Sequence, residues 1–211
     1  IGYQAMNDTT SGGLNIAVAY RTLYENTTGA NNVAMGHSAL FSNTTASNNT
    51  AVGYQAGYSG TTAANNAWVG YQAGYSATGN YNTGMGDRAL QSMTSAEKNS
   101  AFGMAALINN TTGSYNTGLG SSALESNTTA SNNTAIGHQA ADANTTGTRL
   151  VAVGAAALGA NTTGNFNTAV GANSSLTLTT GANNTSVGKS ALYTNTTGDD
   201  NVAVGYQALN D

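Results

Sequence analysis

Apolar positions recur along this chain with one long, fixed period, unlike the short periods of an amphipathic helix or an isolated strand. The clearest unit is Asn201-Val-Ala-Val-Gly-Tyr-Gln-Ala-Leu209. It returns as Asn49-Thr-Ala-Val-Gly-Tyr-Gln-Ala-Gly57 and as Asn133-Thr-Ala-Ile-Gly-His-Gln-Ala-Ala141. The central glycine falls at Gly2, Gly36, Gly53, Gly70, Gly86, Gly103, Gly120, Gly137, Gly154, Gly171, Gly188 and Gly205, with Ala19 in the same phase. Every step is 17 residues except that from Gly70 to Gly86, which is 16. Counting from that glycine, position −1 is a large apolar residue in each copy, and position −2 is small except at Trp68. Position +3 is Ala apart from Thr22 and Ser174, and +4 is often Leu. Position +8 is Thr in all 12 complete copies, and +13 is Asn in 11 of 12, counting Asn82 one place earlier in the short coil, with Leu150 the exception.

The apolar stretch, from about −3 to +5, carries Val, Ile, Tyr and Leu and predicts a strand. A helix is disfavoured because the run is short and holds a Gly. The polar stretch Asn-Thr-Thr-Gly/Ala predicts an exposed turn. Each copy is then one coil of an all-β parallel β-solenoid, a β-roll of about twelve 17-residue coils, with residues 1–211 as a single rod. At a strand spacing of about 4.8 Å, twelve steps give a rod roughly 60 Å long. Identical residues stack, so the +13 Asn column predicts an amide ladder and the +8 Thr column predicts hydroxyl bonds to turn backbone. Ala19 in the glycine column suggests that close backbone approach, more than positive φ, dictates glycine there.

The core inventory of a coil is thin: one bulky residue at −1, one at +4, and small Ala and Gly. Burying a Val or Leu contributes roughly 1.5–3 kcal/mol, against about 1–2 kcal/mol to order each residue's backbone. Parallel association of several chains would supply the missing burial, with the Val18, Val52, Val153, Val170 and Val204 column inside. Composition then narrows the function classes. Only 7% of residues are charged, with five basic residues and a net charge of −4, which excludes a basic nucleic-acid surface. No apolar run is long enough to span a membrane. There is no Cys, hence no disulfide framework. Ile1 and Asp211 both fall inside a repeat, so the chain reads as a piece of a longer repetitive protein or a processed product.

The repeat Asn-Thr-Ala-Val-Gly-Tyr-Gln-Ala-Leu resembles the head repeats of YadA-like trimeric autotransporter adhesins, and similar arrays occur in phage tail fibres. The resemblance covers essentially the whole chain. It implies a left-handed roll, three chains side by side, and an adhesive or fibre role outside the cell, at a cell surface or on a virion appendage. The step here is longer than the usual head repeat, and the family's stalk heptads, neck and anchor are not in this sequence.

No catalytic, cofactor or metal constellation stands out. His37 and His138 share one phase without an acid or thiol partner at motif spacing, and Asp199-Asp200 does not resemble a calcium-binding loop. Seven sequons fall in one turn phase, at Asn26, Asn43, Asn110, Asn127, Asn144, Asn161 and Asn195, and would line glycans along one edge. The near-identical copies around Gly53 and Gly70 bring Tyr54, Tyr58, Tyr71 and Tyr75 together with Trp68. These five form a candidate contact surface for a host-surface protein or glycan receptor, unless Trp68 points inward and uses Gly84 for room. The leading functional reading is a structural or adhesive fibre, as a homotrimer. A single-chain or differently assembled glycan-decorated filament, and an ice-binding solenoid, are the alternatives.

Overall fold

In the computed structural model, which describes residues 1–210, the chain winds into a rod carrying twelve three-residue strands. They run from β1 (Ile16–Val18) to β12 (Val202–Val204) and form one parallel sheet in sequence order. Each strand occupies positions −3 to −1 and pairs with the same positions of the next coil. The short step leaves this register intact: in β4 (Ala67–Val69) and β5 (Thr83–Met85), Trp68 pairs with Gly84 and Val69 with Met85. An all-β solenoid of about 17 residues per coil is therefore the fold.

The strand is shorter than the sequence predicts, and the glycine shows why. Gly120 has φ +139°, and a Cβ built there would stand 2.4 Å from the carbonyl oxygen of Gly137 in the next coil. Both positive φ and close approach thus demand glycine, which corrects the reading from Ala19, itself at φ 117°. Beyond the glycine the chain turns through left-handed residues at +2 and +4, such as Gln139 (φ 54°) and Leu124 (φ 54°), so extended structure ends at −1. A non-Gly residue in such a region costs about 1–3 kcal/mol. Ala19→Gly is accordingly expected to stabilise the rod by about 1 kcal/mol, read as a higher midpoint in urea at unchanged m-value.

The core corrects the inventory as well. Position −2 points inward, and −1 and −3 point out: Ala152 is fully buried, whereas Val151 is exposed and Val153 half-buried. The interior of one chain is the +4 leucines, such as Leu107, Leu124 and Leu158, packed with the −2 and +3 alanines. Trp68 is 2% exposed and lies in this interior. Its indole fills the places that leucines of two coils would take. A Cβ on Gly57 would meet its Cδ1 at 2.6 Å, and one on Gly74 would meet its Cδ2 at 2.4 Å. The two departures from Leu are the room for the indole, and Gly84, at 3.0 Å, is a lesser part of it.

Polar columns hold the coils in register. The +13 ladder runs through side chain to backbone: Asn133 N–H donates to Asn116 Oδ1 (3.0 Å), and Asn116 Nδ2 donates to the Ala130 carbonyl (2.8 Å). The +8 hydroxyls donate to the threonine carbonyl of the following coil, as Thr111 does to Thr128 at 3.0 Å. One coil departs from the apolar rule. Ser174, Ser175 and Ser186 are all buried, and Ser186 Oγ lies 2.6 Å from Ser174 Oγ and 2.8 Å from Ser175 Oγ. The buried apolar cluster ends at Leu178, and Ala191, Leu192 and Ala203 form a separate one beyond the serines.

Candidate functional surfaces

The sequon phase is buried rather than exposed. Asn26, Asn43, Asn110, Asn127, Asn144 and Asn161 are all fully enclosed, and Asn195 is half-buried. Each closes its own turn: Asn144 Nδ2 donates to the Gly147 carbonyl (2.9 Å) and also to Asn127 Oδ1 in the preceding coil (3.0 Å). The amide nitrogen that a glycan would need is thus a buried donor with two partners, and Asn195 likewise donates to the Gly198 carbonyl at 3.1 Å. The expectation of an exposed, glycan-bearing asparagine edge is corrected on this ground. A buried amide must find its partners, and turn-former statistics do not reveal when the turn is folded against the core. Where Asn is absent from this phase, Gly60, Ala77, Met93 and Leu178 are buried in its place and Thr9 is half-buried.

The aromatic residues form two rails. Position +1 stacks Tyr3, Tyr20, His37, Tyr54 and Tyr71, with ring centroids 5.7, 4.9, 5.3 and 5.4 Å apart in that order. Position +5 stacks Tyr24, Phe41, Tyr58 and Tyr75, with centroids 5.1, 5.0 and 5.1 Å apart. Between the rails lies position +2, where the Arg21 guanidinium sits over Tyr20, Tyr24 and Phe41. Further along the same row, Gln72 Nε2 donates to Gln55 Oε1 (2.8 Å). Tyr54 and Tyr71 are exposed; Tyr58 and Tyr75 are half-buried, and burial pushes the Tyr58 hydroxyl above its ordinary pKa. Trp68 belongs to the interior and not to this surface. Because the rings face one another along the rod, they present edges and hydroxyls outward rather than flat faces. Stacking between sugar rings and aromatic faces, the contact the sequence suggests, is blocked within the rails. Tyr3, Tyr20, His37, Tyr24 and Phe41 are absent from the contact surface expected from the sequence, although they share the +1 and +5 phases of its four tyrosines.

The second surface is the outer face of the sheet. Its −1 column is apolar in every strand, with Met35, Met85, Leu119, Ile136, Val187 and Val204 exposed and Val18, Val52, Val153 and Val170 mostly half-buried. Beside it runs the −3 column, with Thr50, Thr83, Thr117, Thr134, Thr168 and Thr185 among Ile16, Val33, Ala67, Ser100, Val151 and Val202. Among the described residues this face thus carries an apolar residue at −1 in every strand, half of them exposed and half partly buried, beside a mixed threonine and aliphatic column.

Titratable groups are sparse. Burial raises the Asp142 carboxyl above its ordinary value of 3.8, against hydrogen bonds from backbone amides that lower it, and the Glu125 carboxylate adds to the rise. The folded chain therefore holds this proton more tightly than the unfolded chain. Its contribution to stability is greatest below the unfolded pKa and falls as pH rises through the interval up to the folded pKa. Asp142→Asn is expected to flatten that part of the pH profile and to raise the melting temperature at neutral pH. Among the described residues, no group of three or more His, Cys, Asp or Glu is placed to hold a metal, and no helix is long and apolar enough to cross a membrane. Asp199 is engaged with backbone, accepting from the Ala182 N–H at 2.7 Å. No protein-family model, no curated protein and no solved structure matches the sequence.

Proposed function

We propose that this chain is a rod segment of an extracellular fibre, in which three copies lie parallel with their outer sheet faces together, at a cell surface or on a virion appendage. The observation that carries the reading is the uncovered −1 column, apolar in all twelve strands of a chain in which only 7% of residues are charged. Six of these residues are exposed in the single chain, and a rod acting alone would leave their apolar surface in water. Burying the strip between copies adds apolar burial that the alanine-rich interior lacks. The role is mechanical and adhesive: it spans distance and presents edges, including the two tyrosine rails, to a host-surface protein or glycan.

Light scattering tests this directly. The expected mass is three chains, and Val170→Asp is expected to release monomers while leaving each coil folded, because its carboxylate then reaches water. In the trimer the same change buries an unpaired charge, at a cost of several kcal/mol. Thr163→Asp, on the exposed turn, is expected to change neither mass nor melting temperature. A monomeric wild-type chain would overturn the proposal. A second reading, ice binding, is favoured by one observation: the −3 threonines and −1 aliphatics form an in-register array on the same face. A monomer showing thermal hysteresis would establish it in place of the first.

A further inference from the structure

Position +9 follows the constant threonine and is the tip of the turn. It is Ser11, Thr28, Thr45, Thr62, Ser95, Thr112, Thr129, Thr146, Thr163, Thr180 or Thr197, so it carries a hydroxyl in every coil that has the position. All eleven are exposed. Their neighbours at +8 use their hydroxyls to bond the next coil, as Thr145 Oγ1 does to the Thr162 carbonyl at 3.0 Å. The +9 hydroxyls, in contrast, make no hydrogen bond among the described residues. The short coil shows that the fold does not need the residue at all. Gly79 directly follows Thr78 and takes the role of +10, its carbonyl accepting from Asn66 Nδ2 at 3.0 Å, as the Gly29 carbonyl accepts from Asn15 Nδ2 at 2.7 Å. The residue missing from that coil is +9 itself, and the strands on either side keep their register. A position absent from one coil without loss of strand register, yet Ser or Thr in all eleven others, carries a hydroxyl that the packing does not use.

We propose that the +9 column is a modification site, a row of acceptors for O-linked glycosyl transfer. In the reaction, the Thr or Ser Oγ forms a bond to the anomeric carbon of a nucleotide-activated sugar. The bond from that carbon to the nucleoside diphosphate breaks, and the hydroxyl proton passes to a base of the transferase. The acceptors suit this chemistry because they are unengaged nucleophiles on a turn tip, followed at +10 by Gly or Ala. They also stand about one strand spacing, ~4.8 Å, apart along the rod. That spacing argues for a neutral group over phosphate. Phosphate on every site would stack close to two negative charges per coil on a chain already acidic, whereas sugars only crowd, so that occupancy stays below eleven. The site is independent of how many chains form the rod, because it lies on the turns and not on the outer sheet face.

The test is intact-mass analysis of the chain purified from the organism that makes it, followed by peptide mapping with electron-based fragmentation, which keeps O-linked groups in place. The expected result is a ladder of sugar-sized increments that alkaline β-elimination removes. They should map to Thr28, Thr112, Thr146, Thr163 and their equivalents, with none on the +8 threonines or the buried asparagines. A mass equal to that of the unmodified sequence, phosphate increments, or sugars on +8 or Asn would each overturn the proposal. A companion measurement separates modification from a hidden folding role. Thr112→Ala, Thr146→Ala and Thr163→Ala together should leave the melting temperature of the unmodified recombinant rod unchanged, whereas Thr111→Ala, Thr145→Ala and Thr162→Ala should lower it. A drop with the +9 set would show that the column is structural.

Discussion

Gly74→Leu, which installs the residue most coils carry at that place, is expected to destabilise the rod by about 3 kcal/mol or more, the upper end of what overpacking costs. Backbone strain does not enter: Gly74 has φ 61° and Leu90, in the same position of the next coil, has φ 54°. Space is what decides. The new Cβ would stand 2.4, 2.5 and 2.6 Å from three atoms of the Trp68 ring before any of the leucine beyond it is placed. The indole is 2% exposed, in the buried cluster that also holds Leu40 and Leu90. Trp68→Ala alone should also cost about 3–5 kcal/mol, through the cavity it leaves. The combination Trp68→Ala, Gly57→Leu, Gly74→Leu should recover most of both losses, because it rebuilds the leucine column of the other coils. Urea melts of the variants check this, and additive losses would show that the indole and the two glycines are not one packing unit.

Asn116→Ala should cost about 2–4 kcal/mol, well above a typical surface change. Asn116 is fully buried, and its Oδ1 is the acceptor for the Asn133 N–H at 3.0 Å. Without it, a buried N–H loses its partner, worth about 1–3 kcal/mol, and the Nδ2 bond to Ala130 is lost as well. The Ala130 carbonyl keeps Asn127 Nδ2 at 3.1 Å, so the cost comes chiefly from the donor. The chain contains its own counterpart. Leu150 occupies this column and offers the next coil no oxygen, while its own N–H still reaches Asn133 Oδ1 at 2.9 Å. Leu150→Asn is therefore expected to act in the opposite direction, by about 1 kcal/mol. Equal melting temperatures for wild type and Asn116→Ala would show that the ladder does not hold the coils in register.

Much of this was legible in the residues because a solenoid writes its contacts as columns. The 17-residue phase gave the parallel sheet and the stacked asparagines and threonines, and left Trp68 open between a contact surface and the interior. What phase does not encode is direction. Val153 and Leu158 are both bulky and both regular, yet one faces outward and the other lies in the core. Which side each takes depends on where extended backbone gives way to left-handed turns, and non-glycine residues such as Gln139 carry those turns unannounced. The same gap hid the burial of Asn144 and its equivalents. Asn-Thr-Thr-Gly has the composition of a solvated turn, but this turn folds its asparagine inward to satisfy its own carbonyl. The aromatic surface was half legible: phase named the tyrosines, while their face-to-face stacking, which removes flat faces from the surface, follows from the rise between coils.

The three buried serines set where the rod gives way under tension. A coil holds 17 residues, roughly 55–60 Å of extended chain, within about 4.8 Å of rod, so each coil that unravels lengthens the molecule about tenfold over its folded rise. Coils yield in order of their grip on their neighbours, and the weakest apolar grip is at Ser174, Ser175 and Ser186. Under tension the Gly171 and Gly188 coils, joined through these serines, would therefore part first. The leucine-packed coils would hold longer, so the rod lengthens at the serines before its neighbours bear the load.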